Sequence, residues 1–457
     1  MSRKLRFGVI PFYLMLCLML GGSTRGHWAN MALQLLAIGI LAWAALARRP
    51  GQMPTSASVI TILAGLTALL IAIQLVPLPP AVWSALPGRD FVANGYALLG
   101  QPLPWLPISL APFQTLASAL WLLPPFAVIA GMLHLGAFRG SWLAAALAFT
   151  SFVAILLGSL QVASSDPLSS PWYFYQIANF GQATGFFANS NHMATLLVVT
   201  IPFLVAVFEP SAARAKSAYT AVGKTAILSG AMIVILLGLA LNGSLAGWGL
   251  GVPVIAASLL LRYPPRPGWA RWSMIGLAVL SAASVALIFS SPMQNNLTSA
   301  GADQSFESRF TIFRTSLSAA ADFAPMGSGV GTFTDVYPSY ENSAVVGPTF
   351  VNHAHSDFIE ILLETGLPGL AIMALFLIWW AGRAMAIWRS LSVDHYARAA
   401  TIALAAILAH SLVDYPLRTT AISAVFAMCV ALMVQPRRGV IAEPVSGEHK
   451  ARHLSVG

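Results

Sequence analysis

Apolar runs of about 20 residues, the length that crosses the hydrocarbon core of a bilayer, recur along this chain and constrain its fold before any motif does. They fall at 7–22, 28–47, 57–78, 112–134, 141–161, 190–208, 225–242, 244–261, 272–291, 361–382, 398–414 and 418–435. Of the 457 residues 57% are apolar and only 9% charged, outside the range of soluble globular domains. The expected fold is an all-α integral membrane protein of about 12 transmembrane helices. Asn242-Gly243-Ser244 is the only polar break between the seventh and eighth runs. Met1 to Gly22 has the basic start and apolar centre of a secretion signal but no convincing small-x-small cleavage site, so it is read as a retained first span.

The charges test this count independently. With the N-terminus inside, 19 of the 24 basic residues fall on inside segments, and only Arg25, Arg89, Arg309, Arg314 and Arg418 lie outside. That asymmetry favours 12 spans with both termini cytoplasmic. Of the 15 acidic residues, 11 fall outside, which describes the character of that surface. The net charge of +9 comes from short clusters between apolar runs, so it reads as topology and nucleic acid is excluded as a partner. Cys17 and Cys429 both sit within apolar runs, which leaves no disulfide or zinc framework. No internal repeat is visible, and residues 436–457 read as a cytoplasmic tail.

Three outer segments are long. The first, 79–111, is rich in Pro and Trp; the second, 162–189, holds Trp172, Tyr173, Phe174 and Tyr175 without a basic residue; the third, 292–360, is the largest. In the third, Glu307 to Ala321 carries helical spacing of Phe310, Phe313, Leu317 and Ala320 or Ala321. Arg309 and Arg314 then point about 140° apart, so one faces a site and the other solvent or headgroups. Gly327, Gly329 and Gly331 follow without the strand that a dinucleotide fingerprint needs, and are read as a tight turn that lets backbone approach closely.

The third segment ends in Asn352-His353-Ala354-His355-Ser356-Asp357-Phe358-Ile359-Glu360. Imidazoles and carboxylates are costly beside a bilayer, so this cluster is a functional-site hypothesis by default. Asp357 and Glu360 have the spacing of a capping box that starts a helix, with Gly366 and Pro368 as its stop. His355 then stands just before a helix N-terminus, where a neutral imidazole able to act as general base is favoured. The plainer alternatives are interface histidines bonded to water, or a metal site from His353, His355 and Asp357 with non-specific spacing. Asn189, Asn191 and His192 open the sixth span, as a cap or as the lining of a polar cavity. Asp414 and Arg418 flank the last outer turn, where they form a candidate structural pair.

Taken in order, four pieces resemble the O-antigen ligase and polymerase family of bacterial inner-membrane glycosyltransferases. They are Thr184 to His192; Ser308-Arg309 through Pro325-Met326-Gly327-Ser328-Gly329-Val330-Gly331; His353 to Phe358 with Glu364 to Gly369; and Leu412 to Arg418. The resemblance covers roughly 180–435, whereas the first 160 residues fit by span count alone. It implies a core over 162–435 behind N-terminal transmembrane helices in 1–161, with 292–360 as a periplasmic loop containing short helices. It further implies transfer of a glycan from undecaprenyl diphosphate to an acceptor hydroxyl at the periplasmic face, with inversion and without cofactor or metal. Lipid A–core would be the acceptor of a ligase, and a glycan repeat that of a polymerase of O-antigen or exopolysaccharide.

By the same resemblance His355 is the base and Arg309 binds the diphosphate, with Arg314, His353, Asp357, Asn191, His192 and Arg418 as further substrate-binding candidates. One departure stands out: the family's second diphosphate arginine is replaced by Leu245 in Ser244-Leu245-Ala246-Gly247. Arg314 and Arg418 are the candidates to supply that charge. A multi-span transporter or flippase is the reading from another class. Against it, the spans are nearly free of charge at their centres, no half-repeat is visible, and the polar residues collect on one side.

Overall fold

The computed structural model describes residues 3–23, 28–47, 55–208, 218–263, 268–290, 309–343, 351–390 and 393–434. Glu307, Ser308, Arg25 and the tail after Gln435 lie outside the described residues. The chain begins with α1 (Arg3–Leu20), α2 (Trp28–Leu46) and α3 (Thr55–Gln74). In the first outer segment come short α4 (Pro80–Trp83) and α5 (Asp90–Leu98), then α6 (Pro112–Trp121), α7 (Leu123–Leu133) and α8 (Gly140–Val162). Next are α9 (Ser190–Phe208), α10 (Ala218–Asn242), α11 (Leu245–Arg262) and α12 (Ala270–Ser290). The third outer segment holds α13 (Arg309–Asp322) and α14 (Phe333–Val336), and α15 (Asp357–Arg389), α16 (His395–His410) and α17 (Thr420–Val434) complete the chain. An isolated bridge between Leu78 and Leu106 takes the place of any sheet among the described residues.

Every apolar run read from the sequence contains a helix. Eight helical stretches are long and apolar enough to cross a membrane, α6 and α7 together making one, and α1, α12 and α17 carry shorter apolar stretches. The run at 112–134 is broken at Leu122, because Pro124 and Pro125 cannot donate the backbone bonds that would continue α6. At the centre lies α9, buried almost throughout and packed on α8, α10, α11 and α16. A helix apolar all round and enclosed by others is a core element, and its polar N-terminus is thereby delivered to the middle of one end of the bundle.

Segments that the charges assign to one side gather at one end. Gln74, closing α3, donates to the Glu364 carbonyl at 2.9 Å, and the Leu110 amide donates to the Ser328 carbonyl at 2.9 Å. At the other end Arg6 donates to the Leu135 carbonyl at 2.8 Å, Ser56 to Val434 at 3.1 Å and Arg383 to Met433 at 2.7 Å. Long polar side chains thus satisfy helix-end carbonyls that have no intrahelical partner.

The expected start of α15 at Asp357 is observed, but not by the expected cap. Ser356 is the N-cap, without a side-chain bond; the Asp357 amide donates to the carbonyls of Ser411 and Asp414, and Glu360 accepts from the Ala354 amide at 3.0 Å. Nor does Gly366 end the helix. It takes φ 59° and kinks it, and α15 resumes to Arg389 because the Leu367 amide donates to the Pro325 carbonyl at 2.8 Å. In α13 the inward face is Arg309, Ile312, Phe313, Ser316, Ala319 and Ala320, while Phe310 and Leu317 are exposed, so the face read from apolar spacing is rotated.

Candidate active site

The glycine turn after α13 docks on the kink of α15. Gly327, Gly329 and Gly331 all have positive φ (78°, 116° and 84°), and a Cβ at Gly327 would lie 2.6 Å from the Glu364 backbone. Only glycine fits so close an approach in that conformation. The reward is a set of bonds across the turn: the amides of Ser328 and Gly329 donate to the carbonyls of Leu363 and Glu364, and the Gly331 amide donates to Glu364 Oε1 at 2.9 Å.

Two clusters of titratable side chains meet beside this turn, sharing the segment 351–356 and the N-terminus of α15. In the first, His355 Nδ1 lies 3.5 Å from Asp414 Oδ1 and His410 Nε2 lies 3.9 Å from Asp414 Oδ2. Asn191 donates to Asp414 Oδ2 at 2.9 Å and accepts from Ser244 at 2.7 Å, while His410 Nδ1 meets Thr195 Oγ1 at 2.7 Å. Arg309, 3% exposed, enters the field of Asp414 and of His410. Burial lowers the Arg309 pKa and the charge of Asp414 counters it. His355 is the one non-glycine side chain with positive φ among the described residues (48°), a conformation that side-chain sterics disfavour and that concentrates at functional sites.

In the second cluster Arg418 faces three buried carboxylates: Glu364 at 2.9 Å, Glu360 at 3.4 Å and Asp357 at 3.7 Å. His353 Nδ1 meets Glu360 Oε1 at 2.9 Å, and Asp357 Oδ2 accepts from Ser411 at 2.7 Å. Tyr415 joins the clusters, its ring centroid 4.1 Å from that of His353 and 5.1 Å from those of His355 and His192. Burial, then the charge of Asp414, push the Tyr415 phenol above its usual range, so it stays protonated.

The sequence-derived candidates are thereby sorted. His355, Arg309 and Asn191 share the Asp414 cluster, and His192, 2% exposed, lies against Tyr415. Asn189 caps α9 through the Asn191 amide, which leaves the Asn191 side chain for the site. His353, Asp357 and Arg418 form the second cluster. The expected Asp414–Arg418 pair is not made: Asp414 faces His355 and His410, and Arg418 faces the carboxylates of α15. Arg314 is exposed while Arg309 is buried, as their separation around the helix demands. His353, His355 and Asp357 turn to different partners, and no three His, Cys, Asp or Glu side chains among the described residues are placed to hold a metal ion.

Several participants escaped the sequence. Thr195 and His410 lie inside apolar runs, one turn from the recognised motifs, and their only signal was an intramembrane polar residue at the outer end. Gln74 holds the turn from both sides, donating to the Glu364 carbonyl and accepting from the Val330 amide at 3.0 Å. Arg89, 2% exposed, donates to the Gly327 carbonyl at 3.1 Å and lies over the Phe323 ring; burial lowers its pKa to about 10.

Beside the second cluster opens a cavity of about 920 Å3 between α3, α6, α7, α15 and α17. Its polar end carries Asn352, His353, Glu360, Glu364 and Arg418, and its walls are apolar, among them Leu63, Ile71, Trp121, Phe376 and Phe426. The cavity thus lies between apolar helices with its polar head at the start of α15, and neither His355 nor Arg309 lines it.

No curated protein matches the chain. A family model described as O-antigen ligase matches residues 230–374, the stretch that carries Arg309, the glycine turn, both histidines and the kink of α15. Over that segment the chain is similar to the O-antigen ligase family, the family that its sequence motifs resemble.

Proposed function

We propose that this protein is a glycosyltransferase of the bacterial inner membrane that moves a glycan from undecaprenyl diphosphate to an acceptor hydroxyl at the periplasmic face, in lipopolysaccharide or surface polysaccharide assembly. The observation that carries this reading is the convergence of His355, Asp414, Asn191 and Arg309, from four separate motifs, on one buried cluster. In this reading the 12 apolar runs are all spans, both termini are cytoplasmic, and residues 162–435 are the working core.

His355 is the base. With Nδ1–H directed at Asp414, its Nε2 is the free acceptor for the proton of the attacking hydroxyl. The acceptor oxygen bonds to the anomeric carbon as the carbon–phosphate oxygen bond breaks, inverting that centre. The electron pair leaves on the diphosphate, whose charge Arg309 holds. Asp414 is the positioning residue: it fixes the ring and stabilises the imidazolium that forms. Asn191 holds Asp414 in place, and Ser244, beside the missing arginine at Leu245, holds Asn191.

The test is glycan display in a deletion strain given back wild type, His355→Asn or Asp414→Asn. Asparagine tolerates the left-handed backbone of His355, so that variant inserts normally. Both substitutions are expected to lower transfer by about 10²-fold or more. Loss of all capped lipopolysaccharide with lipid-linked polymer accumulating identifies a ligase; single-repeat capping or lost exopolysaccharide identifies a polymerase. A normal profile with His355→Asn overturns the assignment of the base.

A further inference from the structure

The large cavity is not used by the chemistry just described, since His355 and Arg309 both lie outside its lining. It is nonetheless built as a site for an amphiphile. Its apolar walls come from the sides of membrane helices, and its single polar end sits against the second cluster. What that end recognises follows from charge. Arg418 is the only guanidinium on the lining among the described residues, and it already faces Asp357, Glu360 and Glu364 within 3.7 Å. The charge of Arg418 is already matched within this cluster, where Glu360 is held ionised, which leaves no net attraction for an anion, and a diphosphate placed there would be desolvated beside a like charge.

Neutral hydroxyls meet a different surface. Arg418 has five N–H donors and spends them on no more than three carboxylates, and Asn352, Gln114, Ser118 and Thr334 line the same end with uncharged hydrogen-bonding groups. His353, its Nδ1 held by Glu360, turns its other ring edge away from that carboxylate. Its ring stacks on Tyr415, which is itself in contact with His355. A head group seated at His353 is therefore one aromatic ring away from the base.

Resting on the reading of this protein as a glycan transferase, we propose that the cavity is the acceptor site, taking an amphiphile with a hydroxyl-rich, non-anionic head and a hydrocarbon tail. Its hydroxyl is delivered past His353 and Tyr415 to His355. The diphosphate lipid is held outside the cavity, at Arg309. The absence of a second arginine at Leu245 then concerns the donor alone.

Direct binding tests this with the full-length protein in phosphatidylcholine nanodiscs. The probes are photoreactive octadecyl maltoside, with a neutral hydroxyl head, and photoreactive geranylgeranyl diphosphate. Ala64→Trp and, separately, Ala117→Trp fill the cavity from its wall. Each is expected to weaken maltoside binding by about tenfold or more and leave diphosphate binding unchanged, while Arg309→Ala does the reverse. Maltoside cross-links should map to α3, α6 and α15. Loss of diphosphate binding on filling the cavity would overturn the proposal, as would maltoside binding indifferent to both tryptophans. Because binding is read without turnover, a failure here leaves the His355 test in cells untouched, and a failure there leaves this one interpretable.

Discussion

Arg309, buried, and Arg418, half-buried, carry the same charge into the same region, and the proposed function gives them opposite duties. Arg418 is locked by Glu364, Glu360 and Asp357 on one face of α15, and removing it would leave a buried cluster of three carboxyl groups with His353 as its remaining basic partner. Arg418→Met is therefore expected to destabilise the protein by about 3–5 kcal/mol, enough to unfold a marginal membrane domain. Thermal unfolding in detergent reads this directly. Arg309 lies in the field of Asp414, which His355, His410 and Asn191 also address, so Arg309→Ala leaves Asp414 with partners. It should unfold within a few degrees of wild type and fail in transfer. Equal thermal losses in the two variants would contradict the division between a binding arginine and a structural one.

Helices report how a local signal is overruled by what packs on it. Gly366 and Pro368 are sound stop signals, and α15 does lose its regular backbone there, yet the turn after α13 supplies the missing acceptor through Pro325 and the helix continues. Sequence shows the break; only the partner turn shows that it is a joint. In α13 the apolar period misleads for another reason. Beside a bilayer, Phe310 and Leu317 can face headgroups at little cost, so hydrophobicity alone does not mark the inward face, which carries Arg309 and Ser316 beside Ile312 and Phe313. The joint predicts its own sensitivity. At Gly366, φ 59° with ψ −149° is a conformation essentially confined to glycine and costs a side-chain residue about 1–3 kcal/mol, and an added Cβ would collide with the Pro325 carbonyl. Gly366→Ala should lower the melting temperature and depress transfer together, whereas Gly382→Ala, on the open surface of the same helix, should change neither.

At the scale of the whole molecule, the motifs of the candidate site were legible because they fall in polar segments that interrupt apolar runs, while the contribution of the N-terminal helices was not. Gln74 and Arg89 are single polar residues at the end of α3 and in the first outer segment, without a motif around them, and only the fold shows that both reach the glycine turn. Gln74→Leu leaves the Val330 amide and the Glu364 carbonyl without these bonds, at about 1–3 kcal/mol for each buried group. Transfer should fall although the residue touches no substrate, and Gln74→Glu, which keeps the acceptor for Val330 but turns a carboxylate oxygen on the Glu364 carbonyl, should not restore it.

The fold also makes the topology testable as a unit, since one end of the bundle gathers Gln74, Ser109, Ser328, Glu364 and Asp414, and the other gathers Arg6, Ser56, Arg383 and Val434. The charge asymmetry assigns the first end to the periplasm. The native thiols, Cys17 and Cys429, are both buried and will not react, so single cysteines can be read without removing them. Gln101→Cys in the first outer segment should be labelled by a membrane-impermeant maleimide in cells with a permeabilised outer membrane, and Gly268→Cys, between α11 and α12, only after lysis. Reversed labelling would invert the protein and put His355 in the cytoplasm, where the proposed donor geometry fails. Labelling of both before lysis would mean that an even number of spans separates segments that the charges place on opposite sides, and that α10 and α11 do not each cross.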